Sequence, residues 1–409
     1  MILRALAPLA LVVTLVGAAC APDKPAVVHR VVAPPPAATW ALDTHRYRIE
    51  LAIDTGAVSR VDRPAVTEID FGNLLAGAGA LGRFDPRSLR VVEVGSDDEV
   101  VADAVPFQYD RSELDLESGE LVVLLTGRTP ADTTRRYHVY FDIEGSDIAP
   151  PVVSSRIRTR EHVLDENNPS IRVDTDIGTW FIRESSGGAS SLVDETGADW
   201  LAYSLAPEAQ GQFRGMPNAV RGYGYFHPDF YRSPVDAVRA GPLRTLIDAE
   251  SRSTLWRVRW KIYDRFATVT MTKSAWAYYL MWEGLPGGDI DPTTDLVMRA
   301  TGVVTRLNEA WTGDLPGDEW VAFIDPEKGR SAFVAHPESD DVVDSYRLMD
   351  SGMTVLGFGR EGVTGHLVDQ HTMVVGLSDA TTHEEIGRLV RDAIREPTVR
   401  VGEIQRAPD

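Results

Sequence analysis

Apolar and polar residues alternate with a period of two along several stretches of the chain, which is the pattern of half-buried β-strands. In the clearest stretch, the apolar residues Trp256, Val258, Trp260 and Ile262 alternate with charged residues. Further stretches of this kind, or short apolar runs bounded by turn residues, lie at 46–53, 88–94, 121–125, 135–142 and 267–273. The pattern therefore predicts a chain built mainly from antiparallel β-strands.

Turn residues and the spacing of these stretches divide the chain into parts. We predict a small β-sandwich at 41–145, a linker at 146–168 and a larger antiparallel β-domain at 169–404. Thr382 and Glu385 form a capping box before an apolar stripe, which predicts one C-terminal helix packed across a face of the larger domain. The predicted fold class is all-β with this single helix.

The first twenty residues form a predicted targeting segment, because Arg4 precedes an apolar run too short to span a bilayer comfortably. Small residues at 17–19 come directly before Cys20, the only cysteine, so no intrachain disulfide can form. This ending resembles a bacterial lipobox, in which Cys20 would carry the lipid anchor, although Gly17 stands where the motif usually has leucine. Ordinary secretion with cleavage nearby is the alternative.

Residues 21–40 contain five prolines and no apolar period, which predicts an extended tether. We therefore expect an exported protein anchored in the cell envelope or periplasm, with no other membrane contact. The contents of 43% hydrophobic and 25% charged residues are those of an ordinary globular protein. A net charge of −20 disfavours a nucleic-acid partner, because phosphate backbones require a positive face.

After residue 169 the predicted order is a strand at 170–175, a strand at 179–183, a Gly-Gly turn, a strand at 189–194 and a glycine turn before Trp200. This meander is similar to the opening of galactose-mutarotase-like supersandwich domains, which occur in polysaccharide lyases and several glycosidases. The earlier runs SLRVVEV, VPFQYD and RRYHVYFD resemble accessory β-sandwich modules of bacterial polysaccharide-degrading proteins. The resemblance implies a polysaccharide or oligosaccharide partner and supplies no diagnostic catalytic motif.

The segment 211–232 is too polar and too interrupted by glycine for a core strand, yet it is rich in aromatic rings. Three arginines and one aspartate give it a formal charge of +2 within a strongly acidic chain. A long ordered loop that concentrates donors, rings and an imidazole is a candidate site.

A polysaccharide lyase is the first hypothesis for this loop. Elimination from a uronate needs a cation for the sugar carboxylate, a base for the C5 proton and an acid for the leaving oxygen. A guanidinium fork matches a carboxylate, an imidazole titrates near the working pH, and a phenol can donate the proton. The residues assigned to these roles are Arg214, Asn218 and Arg232 for substrate binding and Tyr225, His227 and Tyr231 for catalysis.

Two alternatives stay open. A glycoside hydrolase needs two carboxylates roughly 5 to 9.5 Å apart, and we pair Glu283, which ends a predicted strand, with Asp229, Asp314 or Glu319. Glu283 could instead cap a turn or pair with an arginine. A glycan-binding protein without catalysis would use aromatic faces, and the candidates are Tyr223, Tyr231, Trp282 and Trp311.

No cofactor is predicted, because the sequence has no P-loop, no dinucleotide glycine fingerprint, no nucleophile elbow and no His-Glu-x-x-His motif. Asp289, Asp291 and Asp295 could bind calcium, but the run lacks an EF-hand pattern, and we favour solvated carboxylates. His336 follows a predicted strand and is interpreted as a surface histidine. We therefore assign no metal ligand.

Overall fold

The computed structural model describes residues 40–201, 215–219, 233–349 and 352–408. Only 215–219 of the central loop are therefore described. The targeting segment, all but the last residue of the tether, and the following predicted site residues lie outside the described residues: Cys20, Arg214, Tyr223, Tyr225, His227, Asp229, Tyr231 and Arg232.

The small β-sandwich consists of two antiparallel sheets that enclose one apolar core. Its elements are β1 Tyr47–Asp54, β2 Arg60–Asp70, α1 Phe71–Gly77, β3 Phe84–Val94, β4 Val100–Ala102, β5 Phe107–Arg111, β6 Ser118–Thr129 and β7 Thr134–Ile143. One sheet has the order β2-β6-β5, and the other contains β1-β7-β3-β4. The short helix α1 adds to the single helix expected from the sequence, and it begins where the Asp70 carboxylate accepts a hydrogen bond from the Asn73 amide.

The larger domain contains most of the remaining strands and the C-terminal helix. In chain order, its first nine strands are β8 Arg158–Asp165, β9 Asn168–Thr175, β10 Gly178–Arg183, β11 Ala189–Val193, β12 Val235–Ala240, β13 Arg244–Glu250, β14 Arg257–Tyr263, β15 Ala267–Lys273 and β16 Leu280–Gly284. The others are β17 Leu296–Arg299, β18 Val304–Arg306, β19 Trp311–Gly313, β20 Glu319–Asp325, β21 Arg330–His336, β22 Asp344–Met349, β23 Met353–Phe358, β24 Arg360–Glu361, β25 Thr364–Gly365 and β26 Thr372–Ser378. The helix α2 spans His383–Ile394 and is followed by β27 Thr398–Val401 and β28 Gln405–Arg406.

A nine-stranded antiparallel sheet of order β12-β13-β14-β15-β26-β21-β20-β17-β18 forms one layer of this domain. Two four-stranded sheets, β11-β10-β9-β8 and β16-β23-β22-β19, form the facing layer. The segment 215–219 connects them, because Met216 exchanges backbone hydrogen bonds with Ala189 on β11, and Asn218 does so with Met281 on β16. The all-β architecture predicted from the sequence is thus confirmed.

The alternation predicted around Trp260 is also confirmed. Val258, Trp260 and Ile262 point into the core between the two layers, whereas Arg257 and Arg259 on the same strand are partly exposed. This follows from the period of two, which sends successive side chains to opposite faces of a sheet.

The C-terminal helix begins as predicted, with the Thr382 hydroxyl accepting a hydrogen bond from the Glu385 amide at 3.4 Å. Its buried residues Ile386 and Val390 pack with Phe266 and Trp320 against the outer face of the nine-stranded sheet. The apolar stripe therefore covers that face. Among the described residues, no helix is both long enough and apolar enough to cross a membrane.

The predicted domain boundaries need two corrections. The strand β8 lies within the predicted linker 146–168 and pairs with β9 of the larger domain. At the other end, β27 and β28 both pair with β1 of the small sandwich, so the larger domain does not extend to 404. The returning strands cover backbone groups that β1 would otherwise expose at a sheet edge. Pairing between residues so far apart in the chain leaves no local sequence signal.

Arg244 connects the two sandwiches. Its side chain is fully buried, its Nε donates to the Asp110 carboxylate at 2.7 Å, and its guanidinium also pairs with Glu120, both on the small sandwich. The Gln108 side chain accepts hydrogen bonds from the amides of Leu243 and Arg244, each at 2.9 Å. The interface is therefore held by buried polar contacts with directional geometry.

Candidate functional site

Asn218 is the one predicted loop residue of the lyase hypothesis that falls within the described residues. It is buried beside β16, where its Nδ2 lies 3.4 Å from the Gly215 carbonyl and its Oδ1 has no hydrogen-bond partner within the described ranges. A buried unpaired acceptor is unusual. The position does not test the assignment to substrate binding, because the other members of the set lie outside the described residues.

Trp282 and Glu283 are adjacent on β16 and therefore point to opposite faces of its sheet. The Trp282 ring is 1% exposed and stacks on Phe323 of the facing layer at 6.0 Å between centroids. The expectation that Trp282 offers a ring face to a sugar is corrected, since the ring is part of the core. Glu283 is 2% exposed and does not face an open cleft as expected.

Two of the carboxylate pairs proposed for a hydrolase lie within the described residues, and the structure brings neither of them together in an open site. Glu283 on β16 and Asp314, directly after β19, belong to opposite edges of one sheet, about 14 Å apart at three strand spacings. The Glu319 carboxylate is fully buried and bonded to His336 and to the Asp340 amide. Neither pair therefore places two carboxylates on either side of a site that a glycosidic bond could enter. The third pair, with Asp229, lies outside the described residues.

Trp311 lies at the edge of the β16-β23-β22-β19 sheet and lines a groove of about 360 Å³, here named the Trp311 groove. Its lining includes Trp311, Thr312, Ser345, Arg347 and Arg360. None of the described residues that line the groove carries a carboxylate. In the part of the chain that the structure describes, the Ser345 hydroxyl has no hydrogen-bond partner.

Several arginines surround this groove. The guanidinium of Arg299 lies 5.4 Å from the ring centre of Trp311, and that of Arg360 lies 5.7 Å from the ring of Tyr279. Such contacts hold a cation against an aromatic face. Trp311 was identified from the sequence, but Arg347 and Arg360 were missed, because they come from separate strands that only the sheet order brings beside it.

Trp311 is the cross-strand partner of the buried Tyr346, so its ring is on the core-facing side of the sheet, whereas Arg347 points to the opposite face. Arginines without a carboxylate beside them in the described lining suit an anionic sugar.

The cavity between the two sandwiches is larger, about 760 Å³, but its charges already neutralise each other. Arg239 on its wall pairs with Glu113 at 3.1 Å, and Arg239 and Arg259 both pair with Asp248. These ion pairs would have to break before the arginines could bind an anionic ligand. The Trp311 groove, whose described lining contains no carboxylate, is the better candidate for such a ligand.

A second group of functional side chains, here named the His336 cluster, consists of Glu319, His336, Glu338 and His371. Glu319 begins β20 and is opposite His336 at the end of β21, while His371 directly precedes β26. The His336 Nδ1 lies 2.5 Å from the Glu319 carboxylate, and its Nε2 lies 2.9 Å from the His371 Nδ1. Neighbouring strand ends of one sheet thus bring together residues 17 to 52 positions apart in the chain.

Electrostatics within this cluster follow from burial and from its carboxylates. Burial lowers the pKa of His336, but the hydrogen bond and charge of Glu319 outweigh it and raise that pKa. Burial and the positive charge of His336 lower the pKa of His371. The surface interpretation of His336 is wrong, because the side chain is 1% exposed. The sequence did contain a signal for this cluster: His336 and His371 stand at ends of predicted strands, and Glu338 follows His336 in a His-x-Glu spacing.

The three aspartates considered for calcium serve the local backbone and a lysine. Asp291 accepts from the Thr293 amide at 2.8 Å, Asp295 accepts from the Asp291 amide at 2.8 Å, and Asp289 pairs with Lys328 at 3.1 Å. Asp295 is buried, so the expectation of a solvated carboxylate is wrong there. Burial raises the pKa of Asp295 to about 6.

No protein-family model matches the chain, and no curated protein matches it. Among solved structures, the chain is similar to a glycosyl hydrolase family 38 protein from Enterococcus faecalis, with 8% identity and a TM-score of 0.49. That likeness covers 88% of this chain and 48% of the other, so the chain spans about half of that protein. A galactose mutarotase-like protein from Clostridium acetobutylicum is similar over 55% of this chain and 98% of its own, with 8% identity and a TM-score of 0.37. At these values the likenesses carry no argument about activity, and the fold class rests on the chain's own strands.

Proposed function

We propose that the protein binds an acidic polysaccharide in the Trp311 groove and cleaves it by β-elimination. The observation that supports this proposal is the lining of the groove, which combines a half-buried tryptophan with Arg347 and Arg360 and has no carboxylate among its described residues. As an exported protein anchored through Cys20, it would meet such polymers outside the cytoplasm.

The physical basis is the chemistry of a uronate ring. Its C–H face packs on an aromatic side chain, and its carboxylate accepts parallel hydrogen bonds from a guanidinium. The net charge of −20 repels an anionic polymer at long range. At physiological ionic strength this repulsion is screened beyond about 8 Å, so the local arginines determine the contact.

Cleavage by β-elimination also needs a base and an acid. The assignments of His227 as base and of Tyr225 or Tyr231 as acid remain part of the proposal. The hydrolase alternative is weakened, because two of the three proposed carboxylate pairs do not form among the described residues. A glycan-binding protein without catalysis would use the same groove. It would differ from the lyase only in releasing no product.

Replacing Trp311 with alanine is expected to weaken retention on an immobilised uronate polymer about 5-fold, because only part of the half-buried ring borders the groove. Affinity electrophoresis in gels containing the polymer measures this change. Trp276→Ala is the matched control, because Trp276 is a solvent-exposed tryptophan that does not line the groove. Equal losses in both variants would count against the groove.

Arg347→Gln should weaken binding to the uronate polymer but leave binding to its carboxyl-reduced form unchanged, since only the charge of the ligand differs.

Incubation of the protein with the same polymers distinguishes elimination, hydrolysis and binding without cleavage. Ultraviolet absorbance from an unsaturated product that is lost in His227→Ala supports elimination. New reducing ends without that absorbance support hydrolysis, and retention without either product supports binding alone.

A further inference from the structure

The His336 cluster has the arrangement of a metal site. Three potential ligand atoms converge: the Nε2 of His336, the Nδ1 of His371 and a carboxylate oxygen of Glu338, all within 4.8 Å of one another. The two nitrogens are 2.9 Å apart, and the Glu338 oxygen lies 3.5 Å from the His336 nitrogen. We propose that these three side chains bind one divalent transition-metal ion, with zinc as the first candidate.

The hydrogen-bond pattern around His336 leaves an acceptor at the convergence point. The Glu319 carboxylate accepts a hydrogen bond from the Asp340 amide at 2.7 Å and can accept a second one from the N–H of the His336 Nδ1. A neutral His336 then has its proton on Nδ1 and a lone pair on Nε2. That lone pair points toward His371 and the Glu338 carboxylate, so a cation placed among them would satisfy all three.

The supporting contacts are those of a metal-binding histidine. Such a histidine usually donates its other ring N–H to a carboxylate, which orients the ring. Glu319 has this position, and the His336 ring also stacks on Phe358 with centroids 5.4 Å apart. The Glu338 carboxylate accepts from the Thr372 amide at 3.0 Å. The ligands are therefore held by neighbours outside the ligand set.

The ligand types indicate the class of metal. Two imidazoles and one carboxylate suit zinc and related transition metals, whereas calcium and magnesium prefer oxygen ligands. Three protein ligands leave one tetrahedral position for water or another small ligand. Glu338 and His371 are only partly buried, and Glu338 also lines a cavity of about 290 Å³.

The mature protein, stripped with a chelator and dialysed, is titrated with Zn²⁺ alone by calorimetry and with Co²⁺ alone by visible absorption. We expect about one ion per chain and the absorption bands of a low-coordinate cobalt site. Glu338→Gln and His371→Gln should each weaken Zn²⁺ binding by at least about 100-fold. Both side chains are partly exposed, so these variants test the site even if His336→Ala does not fold.

His366→Gln is the matched control, because His366 is a partly exposed histidine 3.8 Å from the Glu361 carboxylate. It should bind Zn²⁺ as the wild type does. Glu319→Gln, which touches no ion, should keep the stoichiometry and weaken binding about 10- to 100-fold. The proposal is overturned if the folded wild type takes up no stoichiometric Zn²⁺, or if the Glu338 and His371 variants bind it as tightly as His366→Gln.

Discussion

Replacing Arg244 with leucine is expected to lower the free energy of unfolding by about 3 kcal/mol, the lower end of the cost of breaking a buried ion pair. Leucine would leave the carboxylates of Asp110 and Glu120 without their buried partner at the junction of the two sandwiches. The cost is at the lower end because Gln108 still donates to Asp110 at 2.8 Å, and Lys261 lies 3.5 Å from Glu120. Urea unfolding followed by tryptophan fluorescence measures the change.

Arg257→Leu is the control, because Arg257 pairs with Asp236 at 3.2 Å and both side chains are more than a third exposed. An exposed pair contributes at most about 1 kcal/mol. Neutralising both acids in the Arg244→Leu background should recover part of the loss, since the uncompensated charges are then gone. Equal costs for the two arginine variants would show that burial at the junction contributes nothing.

The second large effect is a fall in stability as pH rises, caused by Asp344. Burial and the charge of Glu319 raise the pKa of Asp344 to about 7, although its carboxylate accepts from the amides of Gly359 and Leu315. Well below pH 3.8 the carboxyl is neutral in both the folded and the unfolded state. As pH rises toward 7, the unfolded state releases the proton first, so the free energy of unfolding falls. A rise from 3.8 to about 7 corresponds to roughly 4 kcal/mol.

Asp344→Asn should remove this part of the pH dependence, and chemical unfolding between about pH 4.5 and 7.5 with a chelator present measures it. His336, whose pKa is raised, contributes a slope of the same sign in both proteins, so the difference between them reports Asp344 together with its charge interaction with His336. Asp174→Asn is the control. Burial raises the pKa of Asp174, but hydrogen bonds from Arg172 and Arg160 outweigh burial and lower this pKa below its usual value. The effect of Asp174 on stability therefore occurs at pH values below those of the experiment. Parallel curves for wild type and Asp344→Asn would contradict the prediction.

Local patterns were sufficient for the strands with clear alternation and for the C-terminal helix, but not for β8, β27 and β28. The alternation at Val258, Trp260 and Ile262 specifies a strand with one buried face, and Thr382 with Glu385 specifies where a helix begins. These signals are carried by residues within a few positions of one another, which is the range over which backbone geometry repeats.

The candidate sites depended on contacts that local patterns do not contain. Trp282 and Trp311 looked alike as sugar platforms, and they lie in one cross-strand row on the core-facing side of their sheet. Trp282 is buried against the facing layer, whereas Trp311 is on the edge strand β19 and stays half-buried, a difference that only the sheet order determines. Glu319, His336 and His371 meet only because β20, β21 and β26 are neighbours in the nine-stranded sheet.

From its sequence alone, this chain was bound to form antiparallel strands with one capped C-terminal helix, since period and capping act over a few residues. Tertiary structure alone decided which strands are neighbours, that β27 and β28 return to β1, and which polar side chains converge. The physical reason is that strand pairing joins backbone groups that are distant in the chain. The burial of an apolar face limits which strands can be neighbours, but the local sequence of a strand does not identify its neighbour.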